Sequence, residues 1–211
     1  MTAATARSPD HTIAPFFHER WSPRAFTGEP LPLETLQGLF EAARWAPSAA
    51  NSQPWRFVYG LRGTPAFERL HSLLLPANQL WAERASALVA LTSFKLLTLP
   101  GADAPVPSPY HSFDAGAAWA QLALQAHLWG WSAHALGGVD RERARTSLQV
   151  PDDQQVEVFI AIGRRGDAAV LPEAVRLREQ PNGRRPVAEL VFEGTFRRDG
   201  ALTPPAAAPP A

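Results

Sequence analysis

Two arginines and a hydroxyl stand within five residues in Arg20-Trp21-Ser22-Pro23-Arg24, the opening of RWSPRAF (residues 20–26). In an extended turn these three groups can converge on one anion, and guanidinium–phosphate pairs are strong and directional. Arg184-Arg185, far along the chain, offers a second guanidinium arm. APSAANSQPWRF (46–57) sets Ser48, Asn51, Ser52 and Gln53 between two prolines, without a glycine. A helix-to-strand connection ordinarily takes about two to six residues and a glycine, so this one is built to present polar groups. Leu136-Gly137-Gly138 closes one expected strand and precedes a helix; glycines there let backbone N–H groups approach a flat ligand closely. Taken singly, each feature has a plain reading as well: solvated arginines, a polar loop, a strand-to-helix turn.

Other chemistries lack their residues. No Gly-x-Gly-x-x-Gly follows a strand, and Gly163-Arg164-Arg165-Gly166 has the wrong spacing for a dinucleotide fold. No Walker A sequence and no Gly-x-Ser-x-Gly elbow occur. The chain has no cysteine, which removes disulfides, thiolate nucleophiles and thiolate metal sites together. The six histidines (11, 18, 71, 111, 127 and 134) show no ligand spacing, so no metal site is expected.

The elements that must carry the polar stretches can be read from periodicity. Ile13 to Arg20 reads as a short helix with Ile13, Phe16 and Phe17 on one face. From Pro32 to Trp45, Leu33, Leu36, Leu39, Phe40 and Ala43 follow a helical stripe, and Pro32 suits a first turn. Trp55 to Tyr59 reads as a strand with Trp55 as its anchor in the core. Thr64-Pro65 starts a helix to about Leu75, and Asn78 to Ala85 continues in helical spacing. Ser86 to Phe94 is a buried strand. Lys95 to Pro109, with four prolines, reads as a long loop of the kind that forms lids. Tyr110 to Trp129 is the longest helix, Ser132 to Leu136 a short strand, and Asp140 the cap of a further helix. Val156 to Gly163 is apolar almost throughout, as in strands buried on both faces. Pro186 to Phe192 is a short helix or strand. Helices and strands interleave without strict βαβ order, which points to α+β architecture around a central sheet.

With 211 residues, 45% hydrophobic and 19% charged, the chain is an ordinary globular one with a core of useful size. Its formal net charge is zero, so neither nucleic acid nor an anionic membrane is expected as a partner. Lys95 is the only lysine. The start lacks the apolar core of a signal peptide and no run suffices for a membrane helix, so the cytoplasm is the expected location. Residues 1–12 read as a disordered arm, 13–199 as a single domain, and 200–211 as an Ala/Pro-rich tail.

Taken together, RWSPRAF (20–26), APSAANSQPWRF (46–57), NQLWAERASALVAL (78–91), FDAGAAWAQLALQAHLWGW (113–131), LGGVD (136–140) and RRP (184–186) carry a resemblance to the nitroreductase family of FMN-dependent oxidoreductases. The resemblance runs from Arg20 to Phe192, and the second motif is the most specific. It implies a mostly antiparallel central sheet flanked by helices, in an intertwined homodimer with two composite sites. Arg20, Trp21, Ser22 and Arg24 fall in the segment that grips the FMN phosphate, with Arg184 or Arg185 closing from the other end. Asn78 matches the amide that reads the flavin's pyrimidine edge. Leu136, Gly137 and Gly138 match the backbone donors near flavin N5 and O4. Pro47, Ser48, Ala49 and Asn51 match a segment that reaches the partner subunit's flavin. Trp119, Trp129 and Trp131 then belong either to the dimer core or to the monomer core.

Two departures accompany the resemblance. Trp21 stands where many members carry a second basic residue, and Trp81 where some place a lysine near flavin N1 and O2. The implied activity is hydride transfer from NAD(P)H to FMN, then reduction of a nitroaromatic, quinone or similar conjugated electrophile in the same pocket. The flavin carries the chemistry, and no catalytic side chain is named. Tyr110, His111 and Phe113, after the long loop, are the candidates for the pocket roof. The alternative is a flavin-binding protein without turnover, serving as a store or redox sensor.

Overall fold

The computed structural model describes residues 7–196. Residues 1–6 of the expected arm and the whole 200–211 tail lie outside the described residues. Four strands form the central sheet: β1 (Trp55–Leu61), β2 (Ala87–Phe94), β5 (Ser132–Leu136) and β6 (Gln154–Gly163). Their order is β1-β2-β6-β5 and every neighbouring pair is antiparallel. The expectation of an antiparallel sheet with flanking helices therefore holds. A bulge between Leu91 and Thr92 interrupts the β2–β6 ladder.

Alternation along the two central strands explains their unbroken apolar sequences. Ala87, Val89 and Leu91 of β2, with Ile160 and Ile162 of β6, meet α2 (Leu33–Arg44) and α5 (His111–Leu128). Leu88 and Ala90, with Phe159 and Ala161, turn to the other face, under α3 (Pro65–Ser72), α4 (Pro76–Ala82) and α6 (Arg141–Ser147). Each strand thus buries both sets of side chains, and period-two patterning disappears. Trp55 is buried in the first of these layers, at the start of β1.

Local signals place the helix starts. The Thr64 hydroxyl accepts from the Phe67 N–H at 3.2 Å, and the Asp140 carboxylate from the Arg143 N–H at 3.0 Å. Helix α5 ends where Gly130 takes a φ of 73°. The short α1 (Pro15–Glu19) buries none of its residues; Ile13 and Phe17 remain exposed. Of the three candidate interface tryptophans, Trp131 is buried in the monomer core with Arg164 stacked on it, and Trp119 packs partly against that layer. Trp129 is half-exposed and lies over Gly38.

The segment expected as one long loop contains a small ribbon. β3 (Leu96–Leu97) pairs with β4 (Val106–Pro107), and the Ser108 N–H closes it on the Lys95 carbonyl at 2.7 Å. The C-terminal stretch expected from Pro186 holds one turn of tight helix, Val187–Glu189, and a further short helix, α7 (Glu173–Arg176), precedes it. Residues 7–12 of the expected arm are tied at two points. The Arg7 guanidinium donates to the Arg20 carbonyl at 2.8 Å, and Asp10 accepts from the Val187 N–H at 2.7 Å. Among the described residues no helix is long and apolar enough to cross a membrane, and no cluster of three or more His, Cys, Asp or Glu could hold a metal ion.

Candidate functional site

After α1 the chain runs extended through residues 20–26, beside the edge strand β5. Side chains two apart point the same way in such a segment. Ala25 and Phe26 turn into the core, and Phe26 lies so close under Gly163 that a Cβ there would sit 2.7 Å from its ring. Arg20, Ser22 and Arg24 emerge on the other side and line one cavity of about 460 Å³. The Arg20 Nη1 donates to the Ser22 hydroxyl at 3.3 Å. The expected convergence of these three groups is present, and Trp21 lines the same cavity.

The opposite wall comes from the C-terminal segment. Arg178 and Arg184 line the cavity with Leu177 and Gln180, and Arg7 adds a fifth guanidinium. Glu179 pins this segment down. Its carboxylate accepts from the Arg24 N–H at 2.8 and 3.0 Å and from the Ala25 N–H at 2.9 Å, with the Arg24 guanidinium 3.9 Å away. Arg185 instead lines a neighbouring cavity of about 450 Å³ that shares Arg7 and Arg184. Of the two C-terminal candidates, Arg184 is the one in the arginine cleft.

Electrostatically this cleft is incomplete. Burial, then the charges of Arg7 and Arg184, lowers the affinity of Arg20 for its proton. Burial and Arg178 do the same at Arg24, against a smaller opposing pull from Glu179; burial and Arg184 do it at Arg7. Five guanidiniums around one engaged carboxylate repel one another, and an anion with several acceptor oxygens relieves that repulsion. His134 of β5 closes the floor, with Nδ1 3.0 Å from the Pro23 carbonyl and its ring 4.8 Å from that of Trp81. Sequence reasoning missed Arg7, Arg178, Glu179 and His134. Arg7 sits in a stretch read as disordered, and a lone histidine or glutamate has no spacing signal.

The glycine turn lies further along the same strand, about 10 Å beyond His134 at 3.3 Å per residue. Leu136 is buried, and a Cβ at Gly137 would meet nothing within 4 Å, so the space over it is open. At Gly138 a Cβ would sit 2.4 Å from the Asn78 Nδ2. That amide donates to the Gly138 carbonyl at 3.1 Å, which also accepts from the Leu75 N–H at 3.0 Å. Asn78, Gly137 and Gly138 are thus together, and one N–H of the Asn78 amide holds the turn. Trp81 is 2% exposed, packed between Phe26 and His134, and does not line the arginine cavity. A lysine there would be a buried ammonium beneath an arginine cluster, not a cation at a flavin edge.

The stretch 47–53 is elsewhere. The Ala49 N–H donates to Asp114 in the first turn of α5 at 3.1 Å. Arg20 and Trp21 share a small cavity with His127 in the last turn. Thirteen helical residues, at 1.5 Å each, separate the two ends by roughly 20 Å. Pro47, Ser48, Ala49 and Asn51 therefore do not meet the arginines of their own chain. The Ser48 hydroxyl accepts from the Gln53 N–H at 3.0 Å, and the Gln53 amide donates to Asn51 Oδ1 at 3.2 Å. Ala50, Asn51 and Gln53 have φ of 49°, 52° and 46°, so left-handed positions that glycine usually fills are taken by other residues. At the same end of α5, Tyr110 and Phe113 are exposed, Phe113 at 79%. His111 is tied to Ser93 at 2.8 Å, and Ser93 in turn to Glu157 at 2.5 Å. His111 is part of a half-buried polar network with Ser93 and Glu157, while Tyr110 and Phe113 face outward.

Comparison with known proteins follows this geometry. The model of the nitroreductase family matches residues 18–63. A solved structure described as an oxidoreductase containing FMN is 44% identical, with a TM-score of 0.87 over 93% of this chain and 99% of the other. An uncharacterized 15.4 kDa protein of Mycolicibacterium smegmatis is 33% identical over 150 residues, 67% of this chain and 97% of that protein. A Rhodopseudomonas palustris protein, provisionally named NADH dehydrogenase/NAD(P)H nitroreductase, is 36% identical over 70 residues, 33% of this chain and 35% of its own.

Proposed function

The chain belongs to the nitroreductase family, and we propose that it is a cytoplasmic homodimeric oxidoreductase that binds FMN in the arginine cleft. It draws electrons from NAD(P)H and passes them to a nitroaromatic, a quinone or a similar conjugated electrophile. One observation carries the reading: Arg20, Ser22, Arg24 and Arg184 line a single cavity in which positive charge exceeds the one carboxylate, Glu179, that faces it among the described residues. The residues present fit the group. A phosphate dianion answers the repulsion among the guanidiniums, and charge-assisted donors offset its desolvation. Along β5, the open space over Gly137 admits the approach of a flat ring to backbone.

When bound, the flavin supplies hydride acceptance and electron transfer. The protein's part is to anchor, orient and exclude water. Arg20, Ser22, Arg24 and Arg184 hold the anionic end. Glu179 keeps the C-terminal wall against residues 24–25 so that Arg184 stays over the cleft. Asn78 fixes the glycine turn by holding the Gly138 carbonyl.

The separation of Ser48–Asn51 from the arginines supports a composite site completed by a second copy. A loop whose polar groups are arranged at one end of α5 serves its partner's cleft rather than its own. Helix α5 supports this too. Opposite its buried Ala115, Ala118 and Leu122 it exposes Phe113, Gly116 and Ala120, and a helix apolar on both faces is ordinarily covered on both.

The visible spectrum of the purified protein and anaerobic addition of NADH or NADPH test the proposal. The expected outcome is a yellow protein that bleaches promptly and recolours with a nitroaromatic or quinone. Colour that persists through excess reductant would identify a flavin-binding protein without turnover. Colourless protein that takes up no FMN would remove the cofactor reading.

A further inference from the structure

His134 is the one imidazole among the described residues that line the arginine cleft, and two contacts hold it in place. Nδ1 lies 3.0 Å from the Pro23 carbonyl, an acceptor, so Nδ1 carries the proton of the neutral ring. Trp81, itself buried, packs on the ring at 4.8 Å. That leaves Nε2. Among the described residues Nε2 makes no hydrogen bond, and it is absent from their few buried polar atoms without a partner, which are His18 Nδ1, Ser52 Oγ and Asp153 Oδ1. Nε2 is therefore reached from the cavity that His134 lines with Arg20, Ser22 and Arg24.

The charges around the ring are all of one kind. The segment before it brings Arg20 and Arg24; the C-terminal wall brings Arg178 and Arg184, with Glu179 spent on the backbone of residues 24–25; the N-terminal segment brings Arg7. Strand β6 faces it with Ala161 and adds no charge. From α4 only Trp81 packs on it. Just beyond that helix Arg84 is bonded to the Phe26 carbonyl, and Glu83 lines a separate groove. Without an anion, burial and then the charges of Arg24 and Arg20 outweigh the Pro23 and Ser22 carbonyls and push the ring's pKa down to about 4. A dianion seated between Arg20, Ser22 and Arg24 reverses the sign of the field at Nε2.

We propose that His134 is a further ligand of the phosphate, donating from a protonated Nε2 only when the dianion is in place, so that the cleft takes up one proton as it binds. This rests on the cofactor reading above and extends it: retention of FMN is linked to pH through a residue outside the arginine–serine motif. The proton adds a charge-assisted donor to the phosphate and is lost again when the anion leaves.

Equilibrium dialysis of the holoprotein from pH 8 to pH 5.5 in phosphate-free buffer, with released flavin read by fluorescence, tests the linkage in wild type and His134→Gln. The phosphate's own second ionisation, near pH 6, affects both proteins alike and cancels in their ratio. The Kd ratio of variant to wild type should be close to one at pH 8 and rise to roughly tenfold at pH 5.5. In the wild-type holoprotein, the His134 ring followed by NMR should titrate above the usual histidine value. A ratio that stays constant with pH, or a ring that remains neutral to pH 5 in the holoprotein, would overturn the proposal and leave the cofactor reading standing. A wild-type protein that holds no flavin at any pH overturns both.

Discussion

The arginine cleft and the loop 47–53 are the two polar regions that interrupt an otherwise ordinary fold, and they are unfinished in different ways. In the cleft the backbone is relaxed and the charges are in conflict: Arg7, Arg20, Arg24, Arg178 and Arg184 share one carboxylate. In the loop Ser48, Asn51, Gln53 and Asp114 bond one another or the backbone and only the buried Ser52 hydroxyl is left without a partner among the described residues, while three non-glycine residues adopt left-handed backbone. Charge conflict calls for a small anion, which can reach the cleft from solvent. Backbone strain in a loop that bonds most of its own polar groups calls for shape, and shape is useful only against another surface. The first region is an electrostatic site suited to an anion; the second, on the reading proposed above, is a preformed edge for a second copy.

The largest effect should come from reversing the cleft's charge. In Arg20→Ala/Arg24→Glu two charge-assisted contacts of about 2 kcal/mol each are lost, so FMN affinity should fall by roughly a thousandfold. Substitutions in the 47–53 loop should not approach this. Stoichiometric flavin in the purified double variant would show that the phosphate lies elsewhere.

Next in size is the acid response of the flavin-free protein. The folded His134 binds its proton less readily than the unfolded chain does, with a pKa near 4 against 6.5. Stability is therefore complete above about pH 6.5, declines as pH falls towards 4, and levels off below. The drop corresponds to on the order of 3 kcal/mol. Urea unfolding at pH 7 and pH 4.5 should show this loss, and His134→Gln should show a smaller one; equal losses would remove His134 from the account.

Gly138→Ala should follow, at about 1–2 kcal/mol, because the new methyl displaces the Asn78 amide that holds the glycine turn. Thermal unfolding checks it, and Asn78→Ala should cost no more. The smallest effect separates the loop from the cleft. Ala50→Gly relieves a left-handed alanine and should raise stability by up to about 1 kcal/mol while leaving the phosphate's grip alone. A loss of stability instead would mean that Ala50 is not strained.

The parts of this fold that were legible are those whose cause is local. The apolar runs of β2 and β6, the caps at Thr64 and Asp140 and the spacing of Arg20, Ser22 and Arg24 each depend on residues within a turn or a strand of one another. The ribbon inside the Lys95–Pro109 segment was not legible, because two-residue strands leave no period to detect. The burial of Trp81 was not legible for a related reason. A matching position gives a place in the chain, but Phe26 and His134 decide whether the side chain faces ligand or core.

By itself, then, short-range pattern and residue type determined the α+β class, the central sheet with its doubly buried strand Val156–Gly163 and the spacing that lets Arg20, Ser22 and Arg24 converge, while the antiparallel pairing came with the family resemblance. Only the tertiary structure chose Arg184 over Arg185, brought Arg7 and Arg178 to the same cavity, set His134 against Pro23 and sent the Ser48 loop to the far end of α5. The contact that closes the cleft joins Arg24 to Glu179, 155 residues apart. Pairings at that separation leave no local trace, because they arise from the packing of whole elements rather than from any property of the residues between them.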